Sequence, residues 1–200
     1  VLIAFGELDE ALLHLDRCIE LGTGTTAEVL INRASALRDL GKIDEALQGY
    51  RNAIALNPES QIAHANYLLC LNYSQQNQAT IKKEHEAWGA SQSHRQPPIP
   101  MPLPAGKIKI GYVSPDFRRH SVAFFLESVL RNHDQENFEI VCVSNTQRED
   151  AVTENFKKLA HQWIDVKNLD APRASAVIKE AGIHILVDLA AHTAHNRLDI

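Results

Sequence analysis

The chain has 200 residues, is 44% hydrophobic and 22% charged, and carries a net charge of −5 at neutral pH. That length supports one sizeable domain or two small ones, and the acidic balance excludes the broad attraction to nucleic acid or anionic membrane that a basic surface gives. The longest apolar runs, 122–126 and 183–187, are far too short to cross a bilayer, and "VLIAFGELDE" has neither the basic start nor the cleavage site of a secretory leader.

The first hundred residues repeat. "GELDEALLHLDRCIEL" starts at Gly6 and "GKIDEALQGYRNAIAL" at Gly41, an offset of 35 residues. At that offset Ala11 matches Ala46, Leu12 matches Leu47, Leu15 matches Tyr50, Cys18 matches Ala53, Ile19 matches Ile54 and Leu21 matches Leu56. Within each copy the apolar positions recur at i, i+1, i+4, i+7 and i+8, one face of a helix. Asp9 and Asp44 stand where N-caps are expected, each followed by a glutamate that suits the positive end of the helix dipole. "AEVLINRASALRDLG" between them is helical in period, Asn57-Pro58 closes the second copy, and a third begins at "QIAHANYLLCLNYS". A helix–turn–helix unit of about 34 residues resembles the tetratricopeptide repeat. The first copy's extra residue is assigned to the loop "LGTGTTAE". Such repeats stack and present a curved groove. Asn32 and Asn66 fall at matching positions on the first helix of successive repeats. Each amide offers a donor and an acceptor to the backbone of an extended peptide, or else caps local backbone groups.

"ATIKKEHEAWGAS", 79–91, reads as one more helix, and then the text changes. "RQPPIPMPLPAGK" holds five prolines between Gln96 and Pro104, which excludes helix and central strand. The expected organisation is therefore a helical solenoid over 1–95, a proline-rich connector over 96–106, and a second domain over 107–200.

In that second domain the periods alternate. "KIKIGYVS" predicts a strand, "SVAFFLESVLRNH" a helix burying Val122, Phe125, Leu126, Val129 and Leu130, and "FEIVCVSN" a second strand. "AVTENFKKLAHQW" and "DAPRASAVIKEAG" predict two helices, and "IHILVDLAAHT" a third strand. Alternation at these lengths means βαβ units and a parallel, Rossmann-like sheet. Three strands make an unfinished domain, and both chain ends are expected to be cuts. The three cysteines, Cys18, Cys70 and Cys142, form no CxxC pair and are expected to be reduced and mostly buried, as in a cytoplasmic protein.

Polar clusters follow two of the strands: Asp116, Arg118, Arg119 and His120 after the first, His192, Thr193, His195, Asn196 and Arg197 after the last. In a parallel sheet both fall on the carboxyl edge, where ligands bind. A metal site at Asp188, His192 and His195 is rejected for want of a second ligand pair, and no GxGxxG, P-loop or GxSxG is present. His120 and His192 are the histidines placed to move a proton at a strand end. His133, His161 and His184 are expected to be surface or packing residues.

Repeats, "EHEAWG", a proline-rich joint, "KIKIGYVSPDFRRHSVAFFLESVL" and "GIHILVDLAAHTAHNRL", in that order, resemble the O-linked N-acetylglucosamine transferase family, and most of all its SPINDLY-like branch. The resemblance implies a tetratricopeptide solenoid followed by the first Rossmann-like lobe of a GT-B glycosyltransferase, with the donor-binding lobe expected after Ile200. It implies transfer of N-acetylglucosamine from UDP-GlcNAc to serine or threonine of proteins, without a metal or other cofactor, and repeats that recruit the protein acceptor. His120 matches the histidine of the family's "GYVSxDFxxH" motif and His192 that of the SPINDLY-like "GHT"; both are candidate catalytic residues. Asp116 and Thr193 are assigned to acceptor and sugar binding, and Asn32 and Asn66 to the peptide groove. Ala190 stands where the animal enzymes carry asparagine, which leaves a GDP-fucose donor as the alternative. A non-catalytic tetratricopeptide scaffold is the reading from a different class; it would not need the strand-end clusters. The 200-residue chain alone is expected to be inactive.

Overall fold

The computed structural model describes residues 6–22, 25–91, 104–198 and 200, which fall into one unit before Pro98 and another from there on. Most of the proline-rich connector, 92–103, lies outside the described residues, as do 23–24 in the loop assigned the first repeat's extra residue.

Among the described residues the first unit has five helices: α1 (Leu8–Glu20), α2 (Ala27–Asp39), α3 (Ile43–Leu56), α4 (Gln61–Leu71) and α5 (Gln78–Ser91). Their shared core is Ile31, Leu37, Leu47, Tyr50, Leu68 and Leu71, packed around alanines 34, 46, 53 and 63, which are fully buried. Alanine at these positions lets neighbouring backbones approach, and Gly49 takes that furthest. A Cβ built there would stand 2.9 Å from the Cβ of Ala34 on α2.

The turn from α2 to α3 shows what sets the helix boundaries. Gly41 is left-handed at φ +78°, its N–H donates to the Arg38 carbonyl, and the next N–H, of Lys42, reaches back to Leu37. This Schellman closure ends α2 on a glycine and restarts the helix at Ile43. Asp44 therefore lies inside the first turn rather than at the cap, and so does Asp9; the cap positions are Lys42 and Glu7, neither of which makes a side-chain capping bond. The acids still favour the helix dipole. Cys70 and Cys142 are buried, in line with the expectation of mostly buried cysteines, and Cys18 is exposed. Helix α1 packs mainly on α2.

The second unit is a parallel sheet with helices on both faces. Its elements are β1 (Ile108–Ser114), α6 (Ser121–Arg131), β2 (Phe138–Ser144), α7 (Ala151–Leu159), β3 (Gln162–Asp165), α8 (Ala171–Glu180) and β4 (Ile185–Asp188). Four strands stand in the order β3-β2-β1-β4, all parallel, where three were expected. The missed strand, β3, is "QWID", whose first residues the helical period of the preceding segment takes in. Alternate residues of the sheet serve two cores. Ile110, Tyr112, Ile140 and Cys142 pack with Phe117, Ala123, Leu126, Leu130 and Phe156 of the α6/α7 side, and Val113, Val141 and Val143 pack with Ala174 of α8.

Helix α6 buries Ala123, Leu126 and Leu130, while Phe125 and Val129, expected inside, are 77% and 48% exposed. The apolar residues of this helix cover more than one face, and periodicity alone did not say which face meets the sheet.

Candidate active site

At the carboxyl edge of the sheet Ser114 lies opposite Ser144 and Val113 opposite Asp188, so β1 and β2 end level and β4 ends one residue earlier. The two serines are buried and repeat one device: Ser114 Oγ accepts the Asp116 N–H at 3.0 Å, and Ser144 Oγ accepts the Thr146 N–H at 3.2 Å. Each hydroxyl turns its chain sharply as it leaves the strand. After β1, Phe117 anchors the loop. It is 1% exposed and packs at a tilt between the rings of Phe156 and Trp163, at centroid distances of 5.4 and 5.3 Å. With Phe117 driven inward, Asp116 and Arg118 on either side are held at the rim. Arg119 donates its backbone N–H to the Asp150 carboxylate at 2.8 Å, which ties this loop to the start of α7. That bond, with those from Thr153 and Val152, holds the Asp150 carboxyl below the usual carboxylate range.

His120 and Asp116 meet. His120 Nδ1 lies 3.5 Å from Asp116 Oδ2, and the other oxygen of Asp116 accepts from Arg118 at 3.0 Å. Asp116 is nearly covered, its side chain 13% exposed, and that of His120 is 36% exposed. His120 is also the N-cap of α6, its Nδ1 accepting the Val122 N–H at 3.4 Å. The nitrogen cannot do both at once. With the proton on Nε2 it caps the helix; with the proton on Nδ1 it faces Asp116, and Nε2 is left with a lone pair. The second tautomer is the arrangement of an oriented base, a carboxylate behind an imidazole.

The loop after β4 carries the other predicted residues. Thr193 closes a tight turn, its N–H and its hydroxyl both donating to the Ala190 carbonyl, at 3.0 and 2.7 Å. The hydroxyl lone pairs remain to accept a bond. His192 is half-buried beside it. Ala191 and His195, on either side of this pair, are the non-glycine residues with positive φ among the described residues, at +47° and +59°. The Ala191 N–H donates to the Asp188 carboxylate, and the His195 carbonyl accepts from Asn145 at 2.8 Å. Asn145 is a residue that sequence reasoning missed. It is 5% exposed and sits one step beyond β2, a position where an asparagine reads only as a turn former.

Asn32 and Asn66 belong to the helical unit, on α2 and α4, which pack against each other. Asn32 is exposed and Asn66 half-buried, and neither amide has a hydrogen-bond partner among the described residues. Among the described residues no three His, Cys, Asp or Glu side chains gather where they could hold a metal ion, and no helix is long and apolar enough to cross a membrane. His161, expected at the surface, and His184, expected to be a packing residue, each hold a backbone group of the sheet. Each precedes a strand, β3 or β4, and its Nδ1 accepts a backbone N–H of the neighbouring strand at 3.0 Å, from Ile140 and Lys109 respectively.

A family profile described as Glycosyl transferase family 41 matches residues 63–200, and a tetratricopeptide repeat profile matches 27–60. The chain belongs to glycosyl transferase family 41. The family match begins within α4 and takes in α5 as well as the second unit. A rice protein (Oryza sativa subsp. japonica) named "Probable UDP-N-acetylglucosamine--peptide N-acetylglucosaminyltransferase SPINDLY" is 34% identical over 161 residues, 76% of this chain and 17% of its own length. The tomato protein of the same name (Solanum lycopersicum) is 35% identical over 156 residues, covering 72% and 16%. Among solved structures, a mutant O-GlcNAc transferase from Thermobaculum terrenum matches with a TM-score of 0.88 at 29% identity, over 98% of this chain and 38% of that one. The architecture is thus a tetratricopeptide region followed by the parallel α/β lobe of an O-GlcNAc-transferase-like glycosyltransferase. The chain spans about a sixth of the length of the plant relatives it matches.

Proposed function

We propose that the protein carrying this chain is a protein O-glycosyltransferase that moves N-acetylglucosamine from UDP-GlcNAc to serine or threonine hydroxyls. The observation that carries this reading is the Asp116–His120 pair at the carboxyl edge, in a member of family 41 whose relatives are named for that transfer. In the reaction the acceptor oxygen attacks the anomeric carbon, the bond from that carbon to the diphosphate breaks, and the hydroxyl proton must be taken up. His120 Nε2, with Asp116 behind Nδ1, takes this proton or holds the hydroxyl as it is lost. Thr193 and His192 contact the sugar and acceptor. The donor's charge is met by groups beyond the described lobe, and no metal is used. Asn32 and Asn66 hold the backbone of the protein acceptor in the repeat groove.

A fucose donor is the second reading, favoured by Ala190, which is 4% exposed and offers no amide where the animal enzymes carry asparagine. The test is to incubate the full-length protein with an acceptor protein and, separately, labelled UDP-GlcNAc and GDP-fucose, with and without a chelator. Transfer from UDP-GlcNAc that survives chelation is expected. Transfer from GDP-fucose alone replaces the donor assignment, and transfer from neither overturns the enzyme reading.

A further inference from the structure

We infer that Asn145 is a positioning residue for transfer, holding the loop that bears His192 and Thr193 in a left-handed conformation; this rests on the activity proposed above. Ala191 and His195 bracket that pair, and both have φ in the region that a side chain with a Cβ avoids. Residues stay there only where the surroundings over-determine them. Each is held from a strand end. Asp188, the last residue of β4, accepts the Ala191 N–H, and Asn145, just past β2, donates its Nδ2 to the His195 carbonyl.

The Asn145 bond is the longer-range of the two, joining residues 50 apart in sequence. It also joins a buried, well-anchored group to an exposed one. Asn145 is 5% exposed, and its own N–H donates to the Ser114 carbonyl at 3.0 Å, so the amide is fixed to the same edge that carries Asp116 and His120. One residue thus sets the β4 loop relative to the β1 loop. Without the amide, His195 relaxes toward ordinary backbone angles, and Thr193 and His192, two and three residues upstream, move with it. Small displacements of positioned groups cost a large part of a rate.

The test uses the full-length protein, with Asn145→Leu as a near-isosteric loss of the donor and Asn145→Ala as a second variant should leucine not fit. Each is also combined with His195→Gly, because glycine enters the left-handed region without penalty. Three quantities are read: sugar transfer, melting temperature, and hydrogen exchange of residues 190–197. The amides of Thr193 and Asn196 there are bonded within the loop. Loss of the donor is expected to lower transfer about tenfold or more and to speed exchange across the loop. Adding His195→Gly is expected to recover most of that loss relative to the His195→Gly single variant. The inference is overturned if exchange in the loop is unchanged. It is also overturned if transfer falls only in step with melting temperature and glycine recovers none of it. A parent protein that transfers no sugar refutes the activity reading alone, since the exchange data still decide whether Asn145 holds the loop.

Discussion

His120 makes two contacts in the structure, with Asp116 and with the start of α6, and the roles proposed for them differ enough in size to be separated. As an N-cap it accepts the Val122 N–H at 3.4 Å, near the limit for such a bond, from a side chain 36% exposed. Losing a cap of that quality costs about 0.5 kcal/mol, the low end of the range, and lowers the melting temperature by about 2 °C in a domain of this size. In its proposed role as a positioned acid–base group it would contribute about 10²–10⁴ in rate, or about 3–5 kcal/mol of activation free energy. His120→Ala removes both contributions. His120→Asn removes the imidazole but keeps a side chain that caps well. Both variants of the full-length protein should therefore lose about 10²-fold or more in kcat/KM on a protein acceptor, while only the alanine variant melts lower. Rates and melting curves must come from the same preparation. If His120→Asn keeps its rate within about threefold of the parent, the ring serves only the helix and its catalytic assignment is wrong.

Three further outcomes follow from particular contacts. Gly49→Ala should destabilise the repeats by about 1 kcal/mol, because overpacking against the fixed Ala34 Cβ at 2.9 Å outweighs the gain in helix propensity. Adding Ala34→Gly should relieve the crowding, and urea denaturation showing no coupling between the two changes would sink this account. Asp150 is stabilising when ionised, because its carboxyl is held below the ordinary range by the Arg119, Thr153 and Val152 N–H groups. That stabilisation is present above the unfolded carboxylate pKa of about 4 and lost as pH falls through the folded value. Asp150→Ala should thus melt below the parent at neutral pH, with the gap narrowing as pH falls through the folded value; a gap of constant size across that fall contradicts the charge reasoning. Finally, a double change of Asn32 and Asn66 to alanine should slow transfer to protein acceptors and spare short peptides, and an equal loss on both would show that the groove assignment is mistaken.

How much of this was legible depended on the range of the interaction. The helices of the repeat were readable because their signal is local and periodic, and the 35-residue offset from Gly6 to Gly41 pairs Ala11 with Ala46, both buried. Cap positions were misread because the glycine turns at Gly6 and Gly41, both left-handed, start each helix before its aspartate. Strand β3 escaped because its four residues show no alternation; what makes them a strand is pairing with β2, opened when His161 exchanges bonds with Ile140. At the site, motif and strand-end position point to Asp116, His120, His192 and Thr193, and the structure places Asp116 beside His120. Asn145 is not legible there, because its partner is 50 residues away and is a backbone carbonyl, which leaves no trace in a side-chain pattern.

Long-range restraints also account for the polarity of "GYVSPDFRRHS" between a buried strand and a buried helix. A loop that only connected β1 to α6 would need no anchor, yet this one commits Phe117 to an aromatic cluster and Ser114 to its own backbone. Asp150, at the start of α7, then holds Arg119. The loop after β4 is pinned likewise, by Asp188 at one left-handed residue and Asn145 at the other. Fixing two loops by bonds that run between different strand ends costs conformational entropy, and folding alone gives no reason to order exposed polar residues so tightly. Chemistry does give one. Groups that must meet a developing charge or take a proton act best when already in place, because nothing then reorganises as the reaction proceeds. The restraints converge on the loops that carry His120 and Thr193, and that convergence is what a non-catalytic scaffold would lack.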